Sequence, residues 1–334
     1  MKILIGLLII ALGAFCQSSS YVPINKIKSW SWESYWIVQG VFAWLVFPLL
    51  GALLAVPAGE SLFALYAANP AATLKTIFFG ALWGVGGLTF GLSMRYLGVA
   101  LGQSIALGTC AGLGTILTPV FTGNTSDLTA PVVVGVVVTL IGIAIIGYAG
   151  ALKTKDVGDD AKSAVKDFNF GKGIFVALLA GFMSACFAIG LGFGQDLAWN
   201  ATPDIFRSLP ATLLVTFGGF LTNACYCFYQ NTRNKTWGDY GKGSLWGNNI
   251  VFCCLAGLLW YSQFFGLSLG KGFLTEAPVL LAFSWCILQS LNVTFSNVWG
   301  IILKEWKGCT KKTVTVLVAG LLVLIVSSFL PQLL

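Results

Sequence analysis

Residues 131–172 read PVVVGVVVTLIGIAIIGYAGALKTKDVGDDAKSAVKDFNFGK. The first half of this stretch is an uncharged apolar run that is long enough to cross a hydrocarbon core of roughly 30 Å. The second half, from Lys153 to Lys172, is rich in Lys and Asp and forms the longest polar break in the chain. An apolar run that ends in basic residues is typical of a membrane helix whose end faces the cytoplasm.

Similar apolar runs recur along the whole chain of 334 residues, of which 57% are hydrophobic and 9% charged. A soluble domain would carry roughly a quarter charged residues. Lipid offers no partners to backbone polar groups, so each run is expected to form a helix. The predicted helices cover residues 2–22, 34–56, 74–96, 98–120, 131–151, 173–194, 210–230, 248–269, 277–302 and 313–331. The predicted fold is an all-α polytopic membrane protein with about ten transmembrane helices.

The polar break divides these helices into two sets of five. We expect a first repeat at 1–152, a cytoplasmic linker at 153–172 and a second repeat at 173–334. Because five is odd, the second set must insert upside down relative to the first. The string FGLSM at 90–94 is echoed by FGLSL at 265–269, and a tryptophan, Trp83 or Trp260, precedes each string. Inverted repeats are typical of transporters that bind substrate near the membrane midplane.

The distribution of basic residues predicts the orientation of the helices. The N-terminus and the loops after even-numbered helices carry only Lys2, Lys75, Arg207 and Lys271, and the opposite side carries the other Lys and Arg residues. The more basic side faces the cytoplasm. Both termini are therefore expected on the outer side. Arg95, at the end of the third helix, is expected to anchor or gate the cytoplasmic surface by extending its head group into water.

The polar content of the predicted helices points to a neutral solute. They carry amides, hydroxyls and tryptophans, no carboxylate lies in the middle of a run, and the chain has no His. The sequence contains no GxxxxGK[ST] or HExxH motif, which argues against an ATP motor and a metal site. No acid/base pair lies within the predicted helices, which argues against an intramembrane enzyme. Neither a cofactor nor a metal is expected. The basic residues are scattered rather than clustered on one face, so nucleic acid is not an expected partner.

A sugar pathway needs hydrogen-bonding side chains together with aromatic faces that cover C–H groups. Burying unpartnered polar groups is unfavourable, so such residues either pair with neighbours or line a wet cavity. In the ninth helix Trp285, Gln289 and Asn292 are spaced i, i+4, i+7 and therefore share one face. The candidate substrate-binding residues are Trp83, Gln103, Trp260, Tyr261, Gln263, Trp285, Gln289 and Asn292.

Any ion-coupling group must come from the ends of the helices. Glu276 and Asp196 are the two outward-facing candidates, and Glu33 is a further carboxylate near an interface. A structural role is an alternative for Glu276, because a carboxylate is favoured at a helix N-terminus. Coupling to Na⁺ held by backbone carbonyls and hydroxyls is an alternative to coupling to H⁺.

Several strings, taken together and in order, carry a family resemblance. They are YVP (21–23), KIKSWSWE (26–33), FGALWG (79–84), MRYLG (94–98), TP (118–119), GN (123–124), LWYSQFF (259–265), SW (284–285) and LKEW (303–306). In these strings the chain resembles the L-rhamnose–proton symporter family, a branch of the drug/metabolite transporter superfamily. The resemblance implies ten helices in two inverted repeats, and uptake of L-rhamnose driven by proton entry across a bacterial inner membrane.

The expected partners are therefore a small neutral sugar, a coupling cation that is H⁺ rather than Na⁺, and the lipid bilayer, with no nucleotide. Three alternative functions stay open on the sequence: Na⁺-coupled sugar uptake, export of a metabolite or drug, and a sensor that binds a solute without moving it. A drug exporter would favour an apolar cavity and a membrane-embedded Glu, and this sequence has no such Glu.

Overall fold

The computed structural model describes residues 1–97, 99–156, 170–304 and 306–334, with the backbone alone at 95, 99–101 and 170. Within these ranges the chain is helical and ten helices are long and apolar enough to cross a membrane. They are α1 (Lys2–Ser19), α2 (Trp32–Leu53), α3 (Pro70–Leu97), α4 (Val99–Thr122), α5 (Ala130–Asp156), α6 (Phe170–Phe193), α7 (Leu209–Asn234), α8 (Gly243–Phe273), α9 (Pro278–Ile302) and α10 (Lys311–Leu333).

These helices confirm the predicted all-α membrane fold, and the protein is a multi-pass membrane protein. Apolar length alone predicted the helices, because each must satisfy its own backbone while crossing the lipid. The predicted linker at 153–172 is narrower than expected at both ends, since α5 extends to Asp156 and α6 begins at Phe170. Residues 157–169 of that linker lie outside the described part of the chain.

Contacts group the described residues into two compact units. The first consists of Met1–Gly84 and Gly190–Phe273, and the second of Val85–Ile189 and Leu274–Leu334. Each unit therefore takes residues from both of the predicted five-helix repeats, and α3 and α6 each contribute to both units. The two inverted repeats, defined along the sequence, stay a prediction.

Glycines allow helices of the first unit to approach closely. A Cβ atom added at Gly80 of α3 would overlap the backbone of Val215 in α7, and one added at Gly84 would lie 2.9 Å from the carbonyl oxygen of Gly219. Small residues four apart let helix backbones meet in this way. The similar pair Gly87 and Gly91, further along α3, has no described atom within 4 Å of an added Cβ. Among the residues that the structure describes, the first pair makes close contacts with another helix and the second pair does not.

A carboxylate holds the first residues of α2 in the first unit. Asp239 accepts hydrogen bonds from the backbone N–H and the hydroxyl of Ser31, each at 2.7 Å, and from the ammonium of Lys242 at 2.7 Å. The hydroxyls of Ser31 and Ser34 lie 2.8 Å apart. Ser31 is the residue before the first turn of α2. Asp239 thus satisfies a helix-end donor that would otherwise lack a partner.

The second unit has a carboxylate in an equivalent role at the start of α10. Asp156, at the end of α5, accepts hydrogen bonds from the backbone N–H and the hydroxyl of Thr310, each at 2.9 Å, and from the hydroxyl of Thr313. Thr310 also accepts from the backbone N–H of Thr313. Each unit therefore contains a transmembrane helix whose first turn is closed by a carboxylate from elsewhere in the same unit.

Replacement of Asp239 by asparagine is expected to lower the melting temperature of the purified protein at pH 7. Burial raises the pKa of the Asp239 carboxyl, but hydrogen bonds from Lys242 and Ser31 outweigh it and lower the pKa to about 2. A carboxyl with a lowered pKa stabilises the fold above its unfolded pKa of about 4, and this contribution disappears as the pH falls toward the folded value. Charge-assisted hydrogen bonds contribute about 1.5–3 kcal/mol.

The measurement is a thermal melt in detergent across a pH series. The difference between wild type and Asp239→Asn should be largest above pH 4 and should shrink as the pH falls toward 2. Asp204→Asn is the matched control, because Asp204 and Arg207 form an i,i+3 pair at 3.7 Å whose side chains are about half exposed. Such surface pairs contribute little. Equal melting temperatures for Asp239→Asn and wild type at pH 7 would contradict the stabilising role.

Candidate functional site

Three tryptophans of the first unit pack against one another and form what we call the indole cluster. They are Trp44 of α2, Trp83 of α3 and Trp260 of α8. The ring of Trp44 is nearly perpendicular to the other two, with centroids 6.1 Å from Trp83 and 5.8 Å from Trp260. Trp83 and Trp260 lie 5.7 Å apart at 37°. Trp44 is 2% exposed, and the other two are half-buried.

The local structure around Trp44 follows from a proline one turn later. Pro48 has no N–H, so the carbonyl of Trp44 cannot receive the usual bond from the residue four positions on. Residues Val41–Val46 form a π-helical segment instead, and the N–H of Phe47 donates to the carbonyl of Phe42 five residues back. π-Helical segments within α-helices occur frequently at functional sites. Sequence reasoning did not single out Trp44, although Pro48 is visible in the second predicted helix.

Glycines make room for the aromatic rings of the first unit. An added Cβ at Gly219 of α7 would overlap the ring of Trp83, and one at Gly51 of α2 would overlap the hydroxyl of Tyr261. An added Cβ at Gly40 would similarly overlap the ring of Trp44. Each ring therefore sits directly on a backbone surface, where close packing restricts its rotamers.

Five buried polar atoms of this unit have no hydrogen-bond partner among the described residues. They are Nε1 of Trp30 and of Trp44, the hydroxyls of Thr76 and Tyr261, and Oε1 of Gln39. By contrast, Nε1 of Trp36, one turn from Gln39, donates to Asn223 at 3.0 Å. An unsatisfied buried donor or acceptor is unfavourable by about 1–3 kcal/mol. The donors on Trp44 of the indole cluster and on Tyr261, which follows Trp260 in α8, are groups that a hydroxylated ligand or water would satisfy.

Gln263 lies one turn beyond Trp260 on α8 and is buried. Its amide donates to the carbonyl of Trp260 at 3.2 Å, within the same helix. Phe264 continues the aromatic surface, with its ring centroid 5.2 Å from that of Trp260. Of the candidate residues, the structure thus places Trp83, Trp260, Tyr261 and Gln263 in the first unit, on α3 and α8.

Trp285 occupies a different environment, in the second unit. Its indole N–H donates to the carbonyl of Cys110 at 3.2 Å, and its ring stacks on Phe187 with centroids 5.7 Å apart. An added Cβ at Gly114 of α4 would overlap the indole nitrogen. The N–H and one face of Trp285 are therefore occupied by α4 and α6, which is the arrangement of a residue that joins helices.

The other amides predicted for the substrate site also lie in the second unit. The amide of Asn292 donates to Oε1 of Gln289 at 3.4 Å, and both residues are buried on α9. Gln103 is half-buried on α4. The shared face expected for Trp285, Gln289 and Asn292 is thus a buried face of α9, and two of its three members contact each other.

The charged candidates lie at helix ends. Glu276 is exposed between α8 and α9, and Asp196 is exposed just after α6. Arg95 belongs to the last turn of α3, and its side chain lies outside the described part of the chain. Glu33 differs from the first two, because it is 5% exposed and accepts hydrogen bonds from Asn234 at 3.0 Å and Thr236 at 2.9 Å.

Comparison with known proteins agrees with the fold and with the sequence resemblance. A family described as L-rhamnose-proton symport protein (RhaT) matches residues 1–333. Proteins named L-rhamnose-proton symporter from Yersinia pestis (strain Pestoides F) and Yersinia pseudotuberculosis (serotype O:3, strain YPIII) are each 34% identical over 344 residues. Those alignments cover 98% of this chain and 96% of each relative. With a match over the full length and the ten-helix fold, the chain belongs to the L-rhamnose-proton symport protein family.

Proposed function

We propose that this protein imports L-rhamnose together with a proton by alternating access, across a bacterial inner membrane and with both termini on the outer side. The observation that carries the proposal is the match to relatives named L-rhamnose-proton symporter over 98% of the chain. Such a protein is a transporter and not an enzyme. The excess of basic residues in loops after odd-numbered helices supports the orientation.

The chemistry of the indole cluster supports a neutral sugar as substrate. L-rhamnose is a 6-deoxyhexose, so it combines hydroxyl groups with a methyl group and C–H surfaces. Trp83 and Trp260 are half-buried and offer apolar surface, while Trp44 and Tyr261 carry buried donors that have no partner among the described residues. Pockets that recognise small ligands commonly combine apolar walls with a few polar groups. Gln103, Gln263, Trp285, Gln289 and Asn292 remain proposed contributors.

For the coupling ion we propose H⁺, with Glu276 and Asp196 as the first carboxylates to examine. Both are exposed and therefore hydrated. Glu33 is buried with two hydrogen-bond donors on its carboxylate, which favours a permanent structural partner over a group that cycles its proton.

The proposed function is tested by uptake of labelled L-rhamnose into vesicles that contain the purified protein. We expect accumulation under an inward proton gradient, and only equilibration when the gradient is absent or a protonophore is added. Vesicles prepared without the protein give the background. Accumulation under a Na⁺ gradient alone would show that Na⁺, not H⁺, is the coupling ion. Saturable binding without accumulation would contradict transport and favour a sensor.

A further inference from the structure

We propose that Trp44 contacts the transported sugar, with its indole N–H donating a hydrogen bond to one hydroxyl of a 6-deoxyhexose. The inference rests on the proposed function and names the residue at the buried end of the sugar site. Trp83 and Trp260 supply the apolar surface beside it. Their centroids are 5.7 Å apart, which leaves no room for a sugar ring between them. The sugar therefore lies against their exposed surfaces, beside Trp44.

The first observation is the unpaired donor. Trp44 is 2% exposed, and its Nε1 has no hydrogen-bond partner among the described residues. Two other tryptophans have a partner for this group, since Trp36 donates to Asn223 and Trp285 donates to the carbonyl of Cys110, whereas Nε1 of Trp30, just before α2, has none among the described residues. Most buried polar groups in native proteins are hydrogen-bonded, and an exception calls for an explanation. A ligand hydroxyl supplies the missing acceptor.

The second observation is the backbone at Trp44. The residue sits within the π-helical segment Val41–Val46, and Pro48 follows one turn later. A π-helical segment is less regular than the α-helix that flanks it, so its side chains point in directions that differ from those of a continuous α-helix. The unpaired donor and the irregular backbone coincide at one residue, which has Trp83 and Trp260 as its ring neighbours.

Trp44→Phe tests the inference because it keeps an aromatic ring and removes the N–H donor, while the control variant, Trp246→Phe, undergoes the same loss of ring volume. We expect the affinity of the purified protein for L-rhamnose, measured by isothermal titration calorimetry, to fall about tenfold, the effect of one net hydrogen bond in a buried site. Trp246→Phe is the matched control, because the N–H of Trp246 already donates to the carbonyl of Tyr240 at 2.7 Å and its ring packs on Trp30, outside the indole cluster. Its affinity should stay within about twofold of wild type.

A series of monodeoxy sugars makes the test specific. One analogue should bind wild type more weakly than L-rhamnose does, because it lacks the hydroxyl that accepts the hydrogen bond from the Trp44 N–H. For the same reason, this analogue should bind wild type and Trp44→Phe with equal affinity. This double-substitution cycle isolates the pairwise interaction. Equal L-rhamnose affinity for wild type and Trp44→Phe would overturn the inference and leave the proposed function intact. A wild type that binds no L-rhamnose would overturn the proposed function.

A measurement on the wild type keeps the inference falsifiable if Trp44→Phe does not fold. L-rhamnose that carries a photoreactive diazirine can be crosslinked to the purified protein, and the labelled peptides identified by mass spectrometry. We expect label within residues 40–48, and excess unlabelled L-rhamnose should prevent it. Label confined to other peptides under the same competition would overturn the inference.

Discussion

Replacing Trp260 with alanine is expected to reduce L-rhamnose uptake about 100-fold or more, which corresponds to roughly 3 kcal/mol of lost interaction. The ring of Trp260 contacts Trp44, Trp83 and Phe264 at centroid distances of 5.8, 5.7 and 5.2 Å. Removing it opens one side of the indole cluster and takes away apolar surface from the proposed sugar site. Initial rates of labelled L-rhamnose uptake in vesicles, normalised to the amount of protein inserted, provide the measurement.

Gln263→Ala should act in the same direction, because Gln263 is buried one turn from Trp260 and donates to its carbonyl. Trp237→Ala is the matched control for loss of an indole, since Trp237 lies outside the membrane helices and is 47% exposed. The control should transport at close to the wild-type rate. Unchanged uptake kinetics in both the Trp260 and the Gln263 variants would show that these residues of α8 do not form the sugar site.

The positions of the membrane helices could be predicted because one physical requirement dominates them. A run predicted at 277–302 is α9 at Pro278–Ile302, and one predicted at 131–151 is the core of α5. Hydropathy identifies such runs because a spanning segment must be both apolar and long. Hydropathy does not determine where a helix ends once the helix projects into water. Helix α5 accordingly continues through its basic last turn to Asp156.

The partners of individual side chains could not be predicted in the same way. The spacing of Trp285, Gln289 and Asn292 placed them on one face of α9, but spacing does not say what opposes that face. The carbonyl of Cys110 takes the N–H of Trp285, and Phe187 covers one face of its ring. Trp83 and Trp260 are far apart in sequence yet in ring contact. The sequence placed both before similar strings and named both as substrate-binding candidates, but it did not predict that their rings touch.

Trp44 was missed because helical periodicity assumes a regular helix. The segment Val41–Val46 departs from that regularity, so positions on either side of it face directions that a 3.6-residue period does not give. The usable signal was Pro48, which removes one backbone donor inside an apolar run. A proline in such a position predicts a local rearrangement one turn earlier, where Trp44 lies.

Gly80→Leu is expected to prevent folding of the protein or to lower its melting temperature sharply. An added side chain at Gly80 would meet the backbone of Val215 in α7, which cannot move away as a flexible side chain can. Overpacking typically destabilises by about 1–3 kcal/mol and by more where backbones must separate. The contact also holds Trp83 against Gly219, so the indole cluster should be disturbed as well. Size-exclusion chromatography in detergent and a thermal melt measure the effect.

Gly87→Leu supplies a matched control on the same helix, two turns further along. An added Cβ at Gly87 meets no described atom within 4 Å, and leucine favours a helix over glycine by about 0.8 kcal/mol. Gly87→Leu should therefore elute as folded protein with a melting temperature at or above that of wild type. If both variants lost stability equally, the effect would come from glycine's role within α3 itself rather than from the contact with α7. A loss confined to Gly80→Leu would show that this contact, and not the sequence motif shared by both positions, stabilises the first unit.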